Sequence, residues 1–531
     1  MQKGTKRNLF VAATYAAVLF LGILLGQNYV VDSRQAQSPT PILPIGQQSN
    51  ENNVQRALDL ISGNYVDSIN VDSLQHLILS EMVSRLDPHS DYLAPEEAAR
   101  REQALEGTFE GIGVEYFMLN DTVLAVGLVP NGPAQQAGLK VGDRMLAIDG
   151  YGIAGVQIST QELERRIRGR RGSVLEVSVH RKGLDLPFPL KITRDRYEIS
   201  SIDVAYLLAP GVAYIRISNF GSRTVEDFKR HLQNLRKQGA REVVLDLRGN
   251  GGGYLSAGID LAGVFLQPEK PIVFTEGTHE PRTVYAAREG GLFSDMGLVM
   301  LIDEESASAS EIVAGAIQDY ERGTIIGRRS FGKGLIQERF GFGDGSVLNL
   351  TVARYYTPLG RSIQRDNNTN NRKDANDTVS RRQQQFVTAT GKTLFAGGGI
   401  LPDIVVDVDS VEFSPFYQEI YQNGLLHEFV YGRLVTGMPG FAIENFLNGY
   451  SLPESEFQDF IQFVEEKGFE FNESDESPAK QRMSLEIEAL LGRYYFGSDA
   501  YFRIKNRQDP VINSALTHLE VQRAVKQIPD P

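Results

Sequence analysis

A multidomain protein of mixed α/β and α+β class is predicted by three observations. The chain has 531 residues, enough at roughly 100–200 residues per domain for three or four modules. From Val212 to Val408 apolar strand-like runs alternate with helical ones, the rhythm of an α/β core. From Leu105 to Arg194 short β-rich runs alternate with turn signals, and helical periodicity flanks both regions.

Taken in chain order, the first feature is the apolar run Leu9–Gly26, preceded by Lys3, Lys6 and Arg7. At about 1.5 Å per residue it spans roughly 27 Å, close to a bilayer core. It reads as a membrane anchor, or as a cleaved signal sequence, with the positive charges keeping the N-terminus in the cytoplasm. The expected place is the cell envelope: anchored in the inner membrane with the catalytic part in the periplasm, or released there after cleavage. Residues 1–30 are assigned to this segment and 31–50 to a polar linker. Helical spacing of Val54, Leu58 and Ile61, then Leu74, Leu77, Ile78 and Met82, predicts two helices within an N-terminal region at 51–104. The second stops at Pro88.

Turn signals at Asn131-Gly132-Pro133, Gly142-Asp143 and Asp149-Gly150 bound the strands of the β-rich module, placed at 105–195. The core is placed at 196–409, with strands at Val212–Ile217, Glu242–Leu247 and Leu298–Ile302 and helices at Thr224–Gln238 and Ser310–Tyr320. A polar insertion at 366–385 lacks core formers. The segment 410–531 turns helical again, with amphipathic stretches at Glu454–Glu466 and Lys480–Leu491.

Composition excludes several classes of function. The charge is 54 − 67 = −13, which repels phosphate backbones and argues against nucleic acid. Zero cysteines remove disulfides, thiol nucleophiles and cysteine-held metals. No two of the seven histidines stand at i, i+3 or i, i+4, so no metal or other cofactor is expected.

Three stretches could carry chemistry. Ser306-Ala307-Ser308-Ala309-Ser310-Glu311 lies between a strand and a helix, where a hydroxyl stands clear and the N–H groups of the first turn favour an oxyanion. Ser308 and Glu311 equally fit a plain capping box. In Phe331-Gly332-Lys333-Gly334 a lysine sits among apolar side chains. To act as a base its pKa would have to fall from about 10.4 to near 7, a cost of about 4 kcal/mol, with burial away from a carboxylate as the source. The same Gly-Lys-Gly also reads as a solvated turn. No histidine occurs from Glu280 to Leu426, so a serine–histidine pair would need a base from elsewhere. The third stretch, Asp246-Leu247-Arg248 followed by Gly249-Asn250-Gly251-Gly252-Gly253, offers backbone N–H groups for an oxyanion or phosphate, or is simply a loop.

Together these stretches resemble the C-terminal processing (tail-specific) serine peptidases. The likeness runs from about Asn53 to Val408 and includes Leu86-Asp87-Pro88-His89-Ser90, Phe109 to Val114, Ala137 to Asp143, Tyr355-Tyr356-Thr357-Pro358 and Gly399 to Asp403. The resemblance implies a crotonase/ClpP-like core with an inserted PDZ domain. It implies Ser308 as nucleophile, Lys333 as base 25 residues later, and Gln337 as the residue that orients the pair. Ala309 and Gly251 would form the oxyanion hole. Gly111, Ile112, Gly113 and Val114 would hold the carboxylate of a protein or peptide C-terminus. A homo-oligomer or an adaptor protein is left open, as is a membrane-tethered PDZ scaffold with an inactive core. An acyl-CoA enzyme of the crotonase type would not need the inserted module. Arg328 and Ser330 stand where many relatives carry an acidic residue and a threonine, which points to a different local charge.

Overall fold

The computed structural model describes residues 53–288, 290–365, 384–407, 415–436, 442–470 and 476–526. The run Leu9–Gly26, the linker and nearly all of the polar insertion lie outside them. Among the described residues no helix is long and apolar enough to cross a membrane. The chain divides into two compact units, Met1–Leu77 and Ile78–Pro531. In the first, helix Asn53–Asn64 buries Leu58; helix Val71–Ser84 spans the division.

The second unit is built on a six-stranded sheet in the order Ile202–Ala209, Val212–Ile217, Glu242–Asp246, Gly297–Ile302, Thr324–Gly327, Ile404–Val405. The first pair is antiparallel and the rest are parallel. Parallel strands are covered on both faces and so read as unbroken apolar runs. Val243 and Leu245 join the core formed with Phe228, Phe265 and Ile312, whereas Val244, between them, packs on Val511, Ile512 and Leu519 of the last helix. The two faces of one strand are thus sealed by different parts of the chain.

A second, smaller sheet contains β1 (Asp91–Leu93), β2 (Pro271–Glu276), β3 (Thr283–Ala286), β4 (Leu335–Gly341) and β5 (Val347–Tyr356). Its order is β1-β5-β2-β3, and β4 pairs with β5 along its other edge. Helix α1 (Pro95–Glu106) starts with proline at its first turn and ends at Gly107 in the left-handed conformation.

The β-rich module is an insertion whose ends are tied together, since Thr108–Gly111 pairs antiparallel with Asp195–Glu198. Its sheet has Val114–Leu119 at one edge, and helix Thr160–Ile167 buries Leu163 and Ile167 in its core. After residue 415 the described chain is helical, from Pro415–Gln422 to Pro510–Lys526.

Candidate active site

Three neighbouring parallel strands end on one side of the large sheet, and the three stretches singled out from the sequence follow them. The glycine loop follows Glu242–Asp246, the serine turn follows Gly297–Ile302, and the lysine loop follows Thr324–Gly327. The carboxyl ends of parallel strands are where open α/β sheets form their clefts.

The loops are locked to one another. Ser306 Oγ donates to the Leu247 carbonyl at 2.8 Å and Ser310 Oγ to the Asn250 carbonyl at 2.9 Å. Both hydroxyls are buried in holding the glycine loop. Ser308, between them, lines a cavity of about 810 Å³. Its φ of +54° and ψ of −112° lie outside the ordinary basins, a strain of about 1–3 kcal/mol. Helix α2 (Ala309–Asp319) begins directly after it. Gly252 (φ +101°) backs the turn: a Cβ there would stand 2.8 Å from Ser308 Cβ.

Glu311, on the first turn of α2, is fully buried. One carboxylate oxygen accepts from the N–H of Ser308 (3.0 Å) and of Lys333 (2.9 Å). The other accepts from Ser330 Oγ (2.5 Å) and the N–H of Gly332 (2.8 Å). Burial outweighs these four donors and pushes its pKa up to about 7. The Tyr355 hydroxyl reaches the carbonyls of both Ser308 and Lys333.

Lys333 lines the same cavity. Burial pulls its amine below the usual lysine range; Asp91, Asp87 and Glu311 oppose the shift and Arg101 adds to it. Three carboxylates thus act on the amine, and desolvation still prevails, as expected of a lysine whose shift comes from burial. Gln337 and Gly251 line the cavity too. The Gln337 amide donates to Thr351 Oγ1 at 3.2 Å. The N–H of Gly252 is taken by Asn250 Oδ1 at 2.9 Å. Ala309 is buried at the head of α2, where backbone N–H groups lack helical partners.

Arg328 does not line this cavity and forms an ion pair with Glu304 at 2.7 Å. Its charge is spent at the surface, while Ser330 holds Glu311. Asp246 and Arg248 act as frame: the fully buried carboxylate takes the Tyr214 hydroxyl, Arg216 and Arg248, and the arginines hold it below the usual carboxylate range.

His89 and Arg101 are among the cavity residues that residue chemistry did not single out for the site. His89 comes from the turn after Pro88 and lines the cavity. Burial, then the Lys333 charge, lower its pKa, with Asp87 opposing. Arg101 of α1 also lines it, paired with Asp91 at 2.6 Å.

Gly111, Ile112, Gly113 and Val114 sit apart from this cavity, at the entry to the β-rich module. Ile112 is buried, its carbonyl accepting from Ala134 N–H at 2.8 Å. Gly113 has φ +68°, and the Tyr197 ring packs beside it. Among the described residues, no group of three or more potential ligands could hold a metal ion.

Residues 211–373 match peptidase family S41, residues 125–181 a PDZ domain, and residues 416–497 a family of unknown function (DUF8443). The carboxyl-terminal-processing protease of Synechocystis sp. is 36% identical over 297 residues, covering 54% of this chain and 68% of that one. The chain belongs to the carboxyl-terminal-processing proteases of family S41. This serine-type peptidase is also 36% identical to the Bartonella bacilliformis protease of that name over 291 residues, 54% of this chain and 66% of the other. Among solved structures it is similar to a photosystem II D1 C-terminal processing protease, with 28% identity and a TM-score of 0.35 over 66% of this chain and 86% of that one.

Proposed function

We propose that the peptidase captures protein C-terminal tails on its PDZ domain and cleaves them through an acyl-enzyme on Ser308, with Lys333 as the base. The observation that carries this reading is a serine on a strained turn sharing one cavity with a lysine whose charged form burial disfavours. In the proposed reaction neutral Lys333 takes the proton of Ser308 Oγ as that oxygen bonds to the carbonyl carbon. The N–H groups of Ala309 and Gly251 receive the oxyanion, and the lysine ammonium returns the proton to the departing amine. Water, deprotonated by the same amine, then releases the acyl group. Gln337 acts as a positioning residue.

The tail would enter at Gly111–Val114 and extend along the edge strand Val114–Leu119. The N-terminal segment would hold or deliver the peptidase in the cell envelope.

Ser308→Ala and Lys333→Ala are each expected to abolish cleavage of an unstructured protein while thermal melting shows an intact fold. Turnover retained by either purified variant removes the assignment.

A further inference from the structure

One path through the small sheet runs β3-β2-β5-β4, and the strands at both ends of that path line the cavity that holds Ser308 and Lys333. Val284, Tyr285 and Ala286 of β3 form one wall, and Leu335, Ile336 and Gln337 of β4 another. Three consecutive residues of a strand can line one space only if the strand offers it an edge as well as a face. Among the described residues β3 pairs with β2 alone.

The direction of its free groups follows from the ladder. Ala287 exchanges hydrogen bonds with the β2 side, donating to Lys270 O and accepting from Glu269 N. Successive residues in an antiparallel pair alternate between bonding inward and pointing outward. The ladder carries a bulge here, but its extra residue, Ile272, lies on β2 and leaves the phase of β3 unchanged, so Tyr285, opposite Val273, bonds to β2, whereas Val284 and Ala286 turn their N–H and C=O groups away from it. Ala286 stands opposite Pro271, which has no N–H to offer, as this phase requires. Among the described residues neither Val284 nor Ala286 has a hydrogen-bond partner beyond this edge, and Val284 is 55% exposed.

Resting on the peptidase reading above, we infer that the β3 edge is the main-chain binding rail of the active site: the substrate, an extended polypeptide, adds to Val284 and Ala286 as a further strand beside Ser308. An edge strand binds any extended chain through its backbone, so affinity would come from the peptide groups and little from sequence. The occupant is an extended peptide because the edge shares a cavity with the serine and the lysine.

The test is a backbone scan. A fluorogenic, unstructured peptide with one cleavage site is N-methylated at each position in turn, and kcat/KM is measured with the wild-type enzyme. Labelling of Ser308 by a small serine-directed phosphonate serves as the reference. Strand addition is expected to give losses of about tenfold or more at every second position and little loss between them. Val284→Pro, which removes one outward N–H, is expected to lose cleavage at least about tenfold while phosphonate labelling falls far less. Val284→Ala, which keeps that N–H, loses less than Val284→Pro. A scan without period-two alternation, with labelling intact, overturns the rail and leaves the peptidase reading standing. A wild-type enzyme that neither labels at Ser308 nor cleaves overturns the peptidase reading, and the rail with it. Should Val284→Pro fail to fold, Ala286→Pro, which removes the other outward N–H, takes its place, since alternation in the scan alone would also follow from strand addition on the PDZ edge.

Discussion

Ser308 and Lys333 are joined through a single carboxylate oxygen: Glu311 Oε2 accepts from the backbone N–H of Ser308 at 3.0 Å and of Lys333 at 2.9 Å. Their relative placement is therefore set by a buried side chain that touches neither reacting atom. Glu311→Gln leaves one oxygen where four donors need two, at about 1–3 kcal/mol for each donor stranded. The variant is expected to melt at lower temperature and to lose at least about tenfold in kcat with a smaller change in KM. A loss confined to melting temperature, with kcat unchanged, would reduce Glu311 to a structural part.

The lysine sets the sign of the pH dependence. Burial lowers its pKa, Asp91 is the largest influence in the other direction, and Arg101 works with burial. Only the neutral amine can take a proton, so activity rises with pH through the lowered value. Asp91→Asn removes a charge that favours the ammonium and frees Arg101, so the acid limb of kcat/KM moves to lower pH. Arg101→Met moves it to higher pH. Equal displacement of both limbs in one direction would show that another group titrates.

Gly252 is the position where a single methyl group should act on Ser308 directly. At φ +101° an L-residue is strained, by about 1–2 kcal/mol or more. The new Cβ would also press on Ser308 Cβ at 2.8 Å and the Ala307 carbonyl at 3.0 Å. Gly252→Ala is expected to slow phosphonate labelling of Ser308 by about 100-fold or more. Gly251→Ala meets nothing within 4 Å and should melt like the wild type. Equal labelling rates in Gly252→Ala and the wild type would mean that the glycine loop does not position the serine.

Much of this was legible from local pattern. The buried parallel strands announce themselves as apolar runs, and the serine and lysine stretches follow strands at loop positions. What stayed hidden depends on long-range packing. Helix α1 buries only Ala98, so no apolar stripe marks it, although Arg101 and Leu105 line the cavity. Helix Leu255–Phe265 is the opposite case, buried along most of its length and therefore without periodic contrast. Ser-x-x-Glu reads as a capping box, and no local signal reveals that Glu311 also gathers the lysine loop. His89 belongs to the Leu86–Ser90 motif, but nothing local to that motif reveals that the fold carries the ring to the cavity of Ser308 and Lys333.

The helices after residue 415 yield the last prediction. Phe117 of the PDZ edge strand stacks on His427 with centroids 5.5 Å apart and meets Tyr431 edge-on. Glu115 takes Arg493 at 2.8 Å, and Leu119, Leu124 and Val126 share a core with Phe429 and Leu490. Farther along the chain Arg523 grips Glu242, Asp509 pairs with Arg248, and Asn506 bonds Tyr206. One helical region thus holds the PDZ sheet and the peptidase sheet together. His427 is the titratable group inside the PDZ contact. Burial lowers its pKa, Glu486 opposes this, and Arg493 and Lys505 add to it; Glu115, Tyr431 and Tyr494 are the other ionisable groups around this contact. Because the folded value lies below the ordinary 6.5, the docked state binds fewer protons than the undocked one. Its stability is present above pH 6.5 and lost as pH falls toward the lowered value. Amide exchange in Val114–Leu119 is expected to accelerate below that pH, after correction for intrinsic rates, more than exchange in Glu242–Asp246. His427→Phe keeps an aromatic ring against Phe117 without the proton and should remove the acid sensitivity. If acid loosens the His427→Phe variant as much as the wild type, the histidine is not the group that governs docking.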